Sequence, residues 1–150
     1  MWPVGRISAF GRPGGTDVKP ENIDRPDVRR EVEALFRAYE RALMANDAPA
    51  LNAYFWRDAR VTRYGITDLQ LGHDALVAFR AATPAPAFTR EVQRLRITTF
   101  GADMAVAMCE FRRSDTQKLG MQTQTWVRFA DGWKIVSAHV SMIDASTAPR

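Results

Sequence analysis

The chain is poor in the residues that hold metals and build disulfides: it has 1 Cys and 2 His among 150 residues. A single thiol, Cys109, forms no disulfide framework, so a reducing compartment is expected. It lies in an alternating apolar segment, where it reads as a small buried hydrophobe and not as a nucleophile. The two histidines, His73 and His139, are far apart, and no zinc-ligand spacing can be drawn through them. No apolar run approaches the length of a membrane span. The start, Met1 to Ser8, lacks the apolar centre of a secretion signal, so a cytoplasmic protein without a membrane partner is expected. A P-loop is missing too. The only glycine-dense stretch, Gly11 to Gly15, follows no strand and therefore fails the context a dinucleotide fingerprint needs. None of the serines sits in a nucleophile elbow. These gaps predict chemistry that uses no metal, nucleotide or other cofactor.

What is present is an ordinary globular composition, 46% hydrophobic and 25% charged, long enough for one domain with a single core. The net charge is +4, and the basic residues are mostly arginine. Arginine's planar fork suits carboxylate and phosphate, which points to a small anionic ligand. The charges are scattered, with no basic tail or stripe and no nucleic-acid motif, so no nucleic-acid partner is expected.

Residues 1–23 carry seven Pro and Gly residues between Pro3 and Pro20 without a sustained period, and read as a flexible N-terminal extension. Order begins near Asp24. Asp24 or Asp27 is expected to cap a helix that accepts Pro26 in its first turn. Val28, Val32, Leu35, Phe36, Tyr39, Ala42 and Leu43 then recur at helical spacing. Asn46-Asp47 ends that helix, and Pro49 opens a short one with Leu51, Tyr54 and Phe55 inward. Ala59 to Tyr64 alternates as a strand, and Gly65 begins a return through Leu69-Gln70-Leu71. Gly72-His73-Asp74 leads into a third helix carrying Leu76, Phe79 and Arg80, stopped by Pro84 and Pro86. Residues 88–100, 104–113, 120–129 and 133–143 read as four long strands, the last two joined by the hairpin signal Asp131-Gly132. Helices first and strands after predict an α+β domain over residues 24–144: three N-terminal helices packed on a strongly curved, mostly antiparallel sheet, followed by a tail at 145–150.

The candidate site residues are polar groups on faces that should be apolar. Tyr39 lies on the core stripe of helix one, so its ring is buried and its hydroxyl either bonds a backbone carbonyl or enters a cavity. Arg63 shares a face with Ala59 and Val61; if that face is inward, the guanidinium needs a carboxylate or an anionic ligand, and otherwise it solubilises an edge strand. Arg80 either reaches the same cavity or caps its helix terminus. Gln122 and Gln124 share a face with Trp126, where amides can orient a planar ligand or bond each other. By simple alternation His139 and Ser141 share a face with Trp133, Ile135 and Ser137, although a histidine so placed is more often structural than a base. No inward carboxylate stands out: Asp68, Asp103, Asp115 and Asp131 fall in turns, and Glu110 alternates away from Cys109 and Phe111.

The ending Gly132-Trp133-Lys134-Ile135-Val136 with His139-Val140-Ser141 resembles the last strand of the SnoaL-like, ketosteroid-isomerase-like and nuclear-transport-factor-two-like superfamily. That resemblance runs from residue 27 to about 143 and implies the cone-shaped α+β fold. Tyr39-Glu40-Arg41-Ala42-Leu43, Val61-Thr62-Arg63-Tyr64-Gly65, Ile97-Thr98-Thr99-Phe100-Gly101 and Gln122-Thr123-Gln124-Thr125-Trp126 are together similar to the narrower AtzH-like family. This resemblance implies ureide, oxalurate or cyanuric acid breakdown by a metal-independent decarboxylating amidohydrolase that turns dicarboxyurea into allophanate. It also implies catalytic roles for Tyr39 and Arg63, whose surrounding motifs match. Arg80, Gln122, Gln124, Trp126, His139 and Ser141 are then expected to bind the substrate. Two alternatives stand beside it. One is an isomerase of the ketosteroid type, which needs an inward carboxylate pair; the other is a non-catalytic ligand-binding or association domain. A homodimer through the exposed sheet face is expected in either case.

Overall fold

A computed structural model of the chain describes residues 17–147; residues 1–16, including the Gly11 to Gly15 stretch, and residues 148–150 of the expected tail lie outside them. Three helices, α1 (Pro26–Met44), α2 (Ala48–Tyr54) and α3 (His73–Ala82), pack on one curled sheet. The strands are β1 (Thr62–Tyr64), β2 (Leu69–Leu71), β3 (Arg90–Phe100), β4 (Met104–Arg113), β5 (Leu119–Phe129) and β6 (Gly132–Ile143). Their spatial order is β2-β1-β6-β5-β4-β3, and every pairing is antiparallel except β1 with β6. The expected α+β architecture is thus observed, with one parallel pairing that places the short β1–β2 hairpin beside the last strand.

The core is the apolar stripe of α1 against the inner sheet face. Val28, Val32, Phe36 and Tyr39 are buried on the helix, and Ala105, Ala107, Phe111, Trp126 and Ile135 are buried on the strands. Each large side chain removed from water here contributes about 1.5–3 kcal/mol. The α1–α2 junction follows the expected chemistry: Asn46 takes a left-handed φ of 52°, and the Asp47 carboxylate caps α2 by accepting from the Ala50 N–H at 3.0 Å.

Three local expectations are corrected. Neither aspartate caps α1. Arg25 holds the cap position, and Asp24, at φ 57°, turns instead to β3. Its N–H donates to the Thr99 carbonyl and its carboxylate accepts from the Thr99 N–H, both at 3.0 Å. Two bonds that fasten the entering chain to the sheet outweigh one helix cap. Pro20–Asn22 forms a 3-10 turn, Ile23 bridges to Phe100, and Asn22 accepts from the Gly101 N–H, so ordered contacts begin before Asp24. The strand expected from Ala59 is only three residues long, because Asp58 accepts from the Arg60 N–H and its guanidinium and holds residues 58–60 in a turn.

Two single-residue bulges set which side chains face inward. On β3 the register skips Gln93, between Val92 paired with Phe111 and Arg94 paired with Glu110. On β6 it skips Val136, between Ile135 paired with Trp126 and Ser137 paired with Thr125. A bulge inverts the alternation beyond it. Arg90 and Val92 therefore point inward while Arg94 and Arg96 point outward. Trp133 and Ile135 point inward, whereas Ser137, His139 and Ser141 lie on the outer face.

Candidate active site

A cavity of about 260 Å³ opens between α1, α3, the β1–β2 hairpin and the inner face of β3, β4 and β5. Its polar lining comes from Tyr39, Arg63, Asp68, Arg80, Arg90, Arg113 and Gln122, and its apolar lining from Leu43, Phe88, Phe111 and Val140 among others. Drug-sized ligands fill roughly 300–1,000 Å³, so this space suits something smaller than a steroid.

Each polar group arrives by a simple local rule. Tyr39 lies three residues beyond Phe36 on the core stripe of α1, and its ring makes edge contacts with Tyr54 and Phe55 at centroid distances of 5.8 and 6.3 Å. Arg80 lies one turn beyond Leu76 on the buried side of α3. Arg63 pairs across the hairpin with Gln70, and both point inward; Asp68 sits two residues before Gln70 in the same phase.

These groups form two networks. In the first, the Arg63 Nη1 donates to Asp68 Oδ1 at 2.8 Å and to Gln70 Oε1 at 2.7 Å, while Gln70 Nε2 donates to the same Asp68 oxygen at 2.9 Å. In the second, Arg90 Nη2 donates to Glu40 Oε1 at 3.0 Å and to Gln122 Oε1 at 2.9 Å, with Arg90 Nε 2.9 Å from Glu40 Oε2. The Arg90 guanidinium lies 3.6 Å over the Phe111 ring, and that ring covers Gly120, where a Cβ would collide with it. Glycine is required at 120 because the aromatic ring occupies the place of its side chain.

Arg80 belongs to neither network. Its side chain is buried, yet among the described residues it has no carboxylate within ion-pair distance. Its Nη2 donates to the Tyr39 hydroxyl oxygen at 3.3 Å, and its Nε is buried without a hydrogen-bond partner. Because Arg80 donates that bond, the Tyr39 proton is free to point into the cavity. A buried guanidinium lacking an anion is costly, and a bound carboxylate relieves that cost.

Four of the expected site residues, Tyr39, Arg63, Arg80 and Gln122, therefore meet at one cavity. Gln124 and Trp126 do not line it. Both are fully buried in the core, where Trp126 Nε1 donates to Gln124 Oε1 at 3.1 Å and the indole makes an edge contact with Tyr54. His139 and Ser141 lie on the other side of the sheet, turned outward by the bulge at Val136. The expectation that no carboxylate faces inward is corrected: Asp68 lines the cavity, and Glu40 is held at its wall. Glu40 follows Phe36 by four residues, and Arg90 precedes Val92 by two, so both positions could have been found from periodicity. For Asp68 the largest single influence, burial, pushes its carboxyl upward. The hydrogen bond from Gln70, together with the charge and hydrogen bond of Arg63 and the charge of Arg80, nevertheless holds it below the usual carboxylate range. Cys109 behaves as expected: it is buried, and burial pushes its thiol up to about 11.

Among the described residues no cluster of His, Cys, Asp and Glu is arranged to hold a metal, and no helix is long and apolar enough to cross a membrane. No curated protein matches the chain. A protein of unknown function from Pectobacterium atrosepticum is 42% identical over 85% of this chain and 99% of its own, with a TM-score of 0.82. A cystatin-like fold protein from Burkholderia xenovorans is 45% identical over 81% of this chain and 96% of its own, with a TM-score of 0.79. An NTF2-like protein of unknown function from Pseudomonas putida shares the fold at 19% identity and a TM-score of 0.67, covering 78% of this chain and 87% of its own. The AtzH-like family model matches residues 21–146, through both networks and the arginine between them, and the chain belongs to the AtzH-like family on an NTF2-like fold.

Proposed function

We propose that this protein is a cytoplasmic, metal-independent decarboxylating amidohydrolase acting on a small carboxylated urea of the dicarboxyurea or oxalurate type. The observation that carries the proposal is the contact between Tyr39 and Arg80: a phenol with a free proton beside a buried guanidinium that lacks an anion, in a cavity sized for a small ligand. A substrate carboxylate seats on Arg80, and Arg63 and Gln122 hold the urea from the sides. At the reacting end the bond between nitrogen and the carboxyl carbon breaks. Carbon dioxide leaves, the electron pair stays on nitrogen, and the Tyr39 hydroxyl delivers the proton that nitrogen needs. Arg80 then faces the phenolate until water returns its proton, and the hydroxide left behind takes up carbon dioxide as bicarbonate.

Ketosteroid-type isomerisation is less well supported, for a reason different from the one sequence suggested. Inward carboxylates exist, but both Asp68 and Glu40 are committed to arginines at 2.8 and 2.9 Å, and neither is free to act as a base. The homodimer we propose uses the outer sheet face, where Tyr64, Leu69, Leu71, Met104 and Met108 are exposed; sedimentation giving a monomer at working concentrations would remove it.

The test is turnover of dicarboxyurea, followed as carbon dioxide release and allophanate formation. Tyr39→Phe should melt like the parent and lose about 100-fold or more in kcat, the usual size of a general-acid contribution. Arg63→Ala should also lose turnover. Parent-like rates in either variant would sink the proposed chemistry, and ligand-induced stabilisation without any turnover would make the protein a binding domain.

A further inference from the structure

We infer that the cavity is charge-matched to a ligand bearing a single carboxylate, seated on Arg80, and that Asp68 sets this limit by compensating the charge of Arg63. The inference rests on the reading that this cavity is the substrate site, and it says which anions the site admits. Four guanidiniums line the cavity: Arg63, Arg80, Arg90 and Arg113. Three of them face a carboxylate of the protein itself, Asp68 at 2.8 Å, Glu40 at 2.9 Å and Asp115 at 2.5 Å. Only Arg80 has none within ion-pair distance among the described residues, although its charge reaches Asp68, so the four guanidiniums carry one positive charge more than the carboxylates paired with them.

The geometry makes that charge local. Arg80 is 8% exposed, and its buried Nε has no partner. A carboxylate held in the cavity beside Arg80 compensates a desolvated cation. Arg63 offers no comparable charge, because its Nη1 donates to both Asp68 and Gln70 in a closed three-membered ring of hydrogen bonds and the Asp68 carboxylate compensates the guanidinium. The Phe79 ring lies 4.9 Å from the Arg63 guanidinium and 5.6 Å from that of Arg80, an apolar surface common to both.

A second carboxylate on the same ligand finds no uncompensated cation, since Arg63, Arg90 and Arg113 each already face a carboxylate, and Asp68 shares the cavity with it. Asp68, held below the usual carboxylate range, presents a full negative charge at neutral pH. Discrimination then comes from a repulsive element as well as an attractive one. The consequence for the proposed reaction is specific. A dianionic urea binds with one carboxylate matched and the other opposed, and loss of the opposed group as neutral carbon dioxide leaves a monoanion that the site accommodates. Asp68 is in this sense a positioning and specificity residue, acting through Arg63 and through its own charge.

Malonamate and malonate differ by one carboxylate in place of an amide and react by neither route, so they probe the charge limit without turnover. Calorimetry on the full chain near neutral pH should show malonamate binding about tenfold or more tighter than malonate, a modest figure for one unmatched charge a few ångströms from a carboxylate. Asp68→Asn, which keeps the size and the hydrogen bond to Gln70, should raise malonate affinity about tenfold and shrink or invert the preference. Arg80→Gln should abolish binding of both. Tighter binding of malonate by the parent, a preference untouched by Asp68→Asn, or undiminished binding by Arg80→Gln would each overturn the inference. Thermal melts of both variants establish that they fold. Failure of the parent to turn over dicarboxyurea would sink the proposed reaction alone, since the anion preference is read from unreactive ligands.

Discussion

Two arginine–carboxylate pairs on β3 stand four residues apart and live in different worlds. Arg90 pairs with Glu40 on the inner face at 2.9 Å, with side chains 6% and 13% exposed. Arg94 pairs with Glu110 on the outer face at 3.0 Å, with side chains 74% and 33% exposed. Residue type and distance hardly differ, so the contrast isolates burial. The outer pair exchanges one hydrated arrangement for another and contributes about 0–1 kcal/mol. The inner pair is desolvated on both sides, is tied to Gln122 and lies over Phe111, so removing either charge strands the other. The same chemistry is a solubilising detail on one face and a structural element of the cavity wall on the other.

The widest separation of the two faces comes from deleting each carboxylate. Glu40→Ala should cost about 3–5 kcal/mol in denaturant unfolding, because Arg90 is left buried without its anion. Glu110→Ala should cost no more than about 1 kcal/mol. Equal costs would mean that solvent reaches both pairs alike and that the inner face is not desolvated.

Gly120→Ala sharpens the comparison from the floor of the cavity. A methyl group at 120 meets the Phe111 ring, which is buried and supports Arg90. Overpacking of this kind costs about 1–3 kcal/mol, and the displaced ring should move Arg90 and lower turnover as well. An alanine tolerated with full stability and activity would show that the ring has room to turn aside.

How much of this was legible in the sequence follows from the same faces. Helical spacing placed Tyr39 and Arg80 correctly, because α1 and α3 are unbroken and each side chain follows an apolar neighbour by three or four residues. Strict alternation placed Gln122, Gln124 and Trp126 inward on β5, where the register against β4 is regular. It could not show that only Gln122 reaches the cavity, since depth along a strand depends on which helix covers it. Alternation failed on β6 because the bulge at Val136 leaves no mark in residue type: Ile135, Val136 and Val140 are all good strand residues. Asp68 falls in a turn, where residue type carries no inward signal, and the inward phase of that turn is set by the pairing of Arg63 with Gln70. Glu40 lies on the stripe through Phe36, but its residue type argues against an inward place, since a carboxylate on a core stripe is uncommon unless it is paired.

The smallest expected effect tests the bulge itself. By unbroken alternation from Trp133 and Ile135, His139 and Ser141 would face Tyr39 and Arg80, and replacing either would remove a ligand contact. With Val136 skipped they face outward, where the His139 ring makes an edge contact with Tyr64 at 5.7 Å. His139→Ala and Ser141→Ala should therefore change stability by no more than about 0.5 kcal/mol and leave kcat/KM within a factor of about two. The outer face is also the surface proposed for the dimer, so each variant is assayed together with its sedimentation. A shift in assembly at constant specific activity keeps both residues on the outer face. A tenfold loss of kcat/KM in a variant that still assembles and melts like the parent would return them to the inner one, and with them the unbroken register.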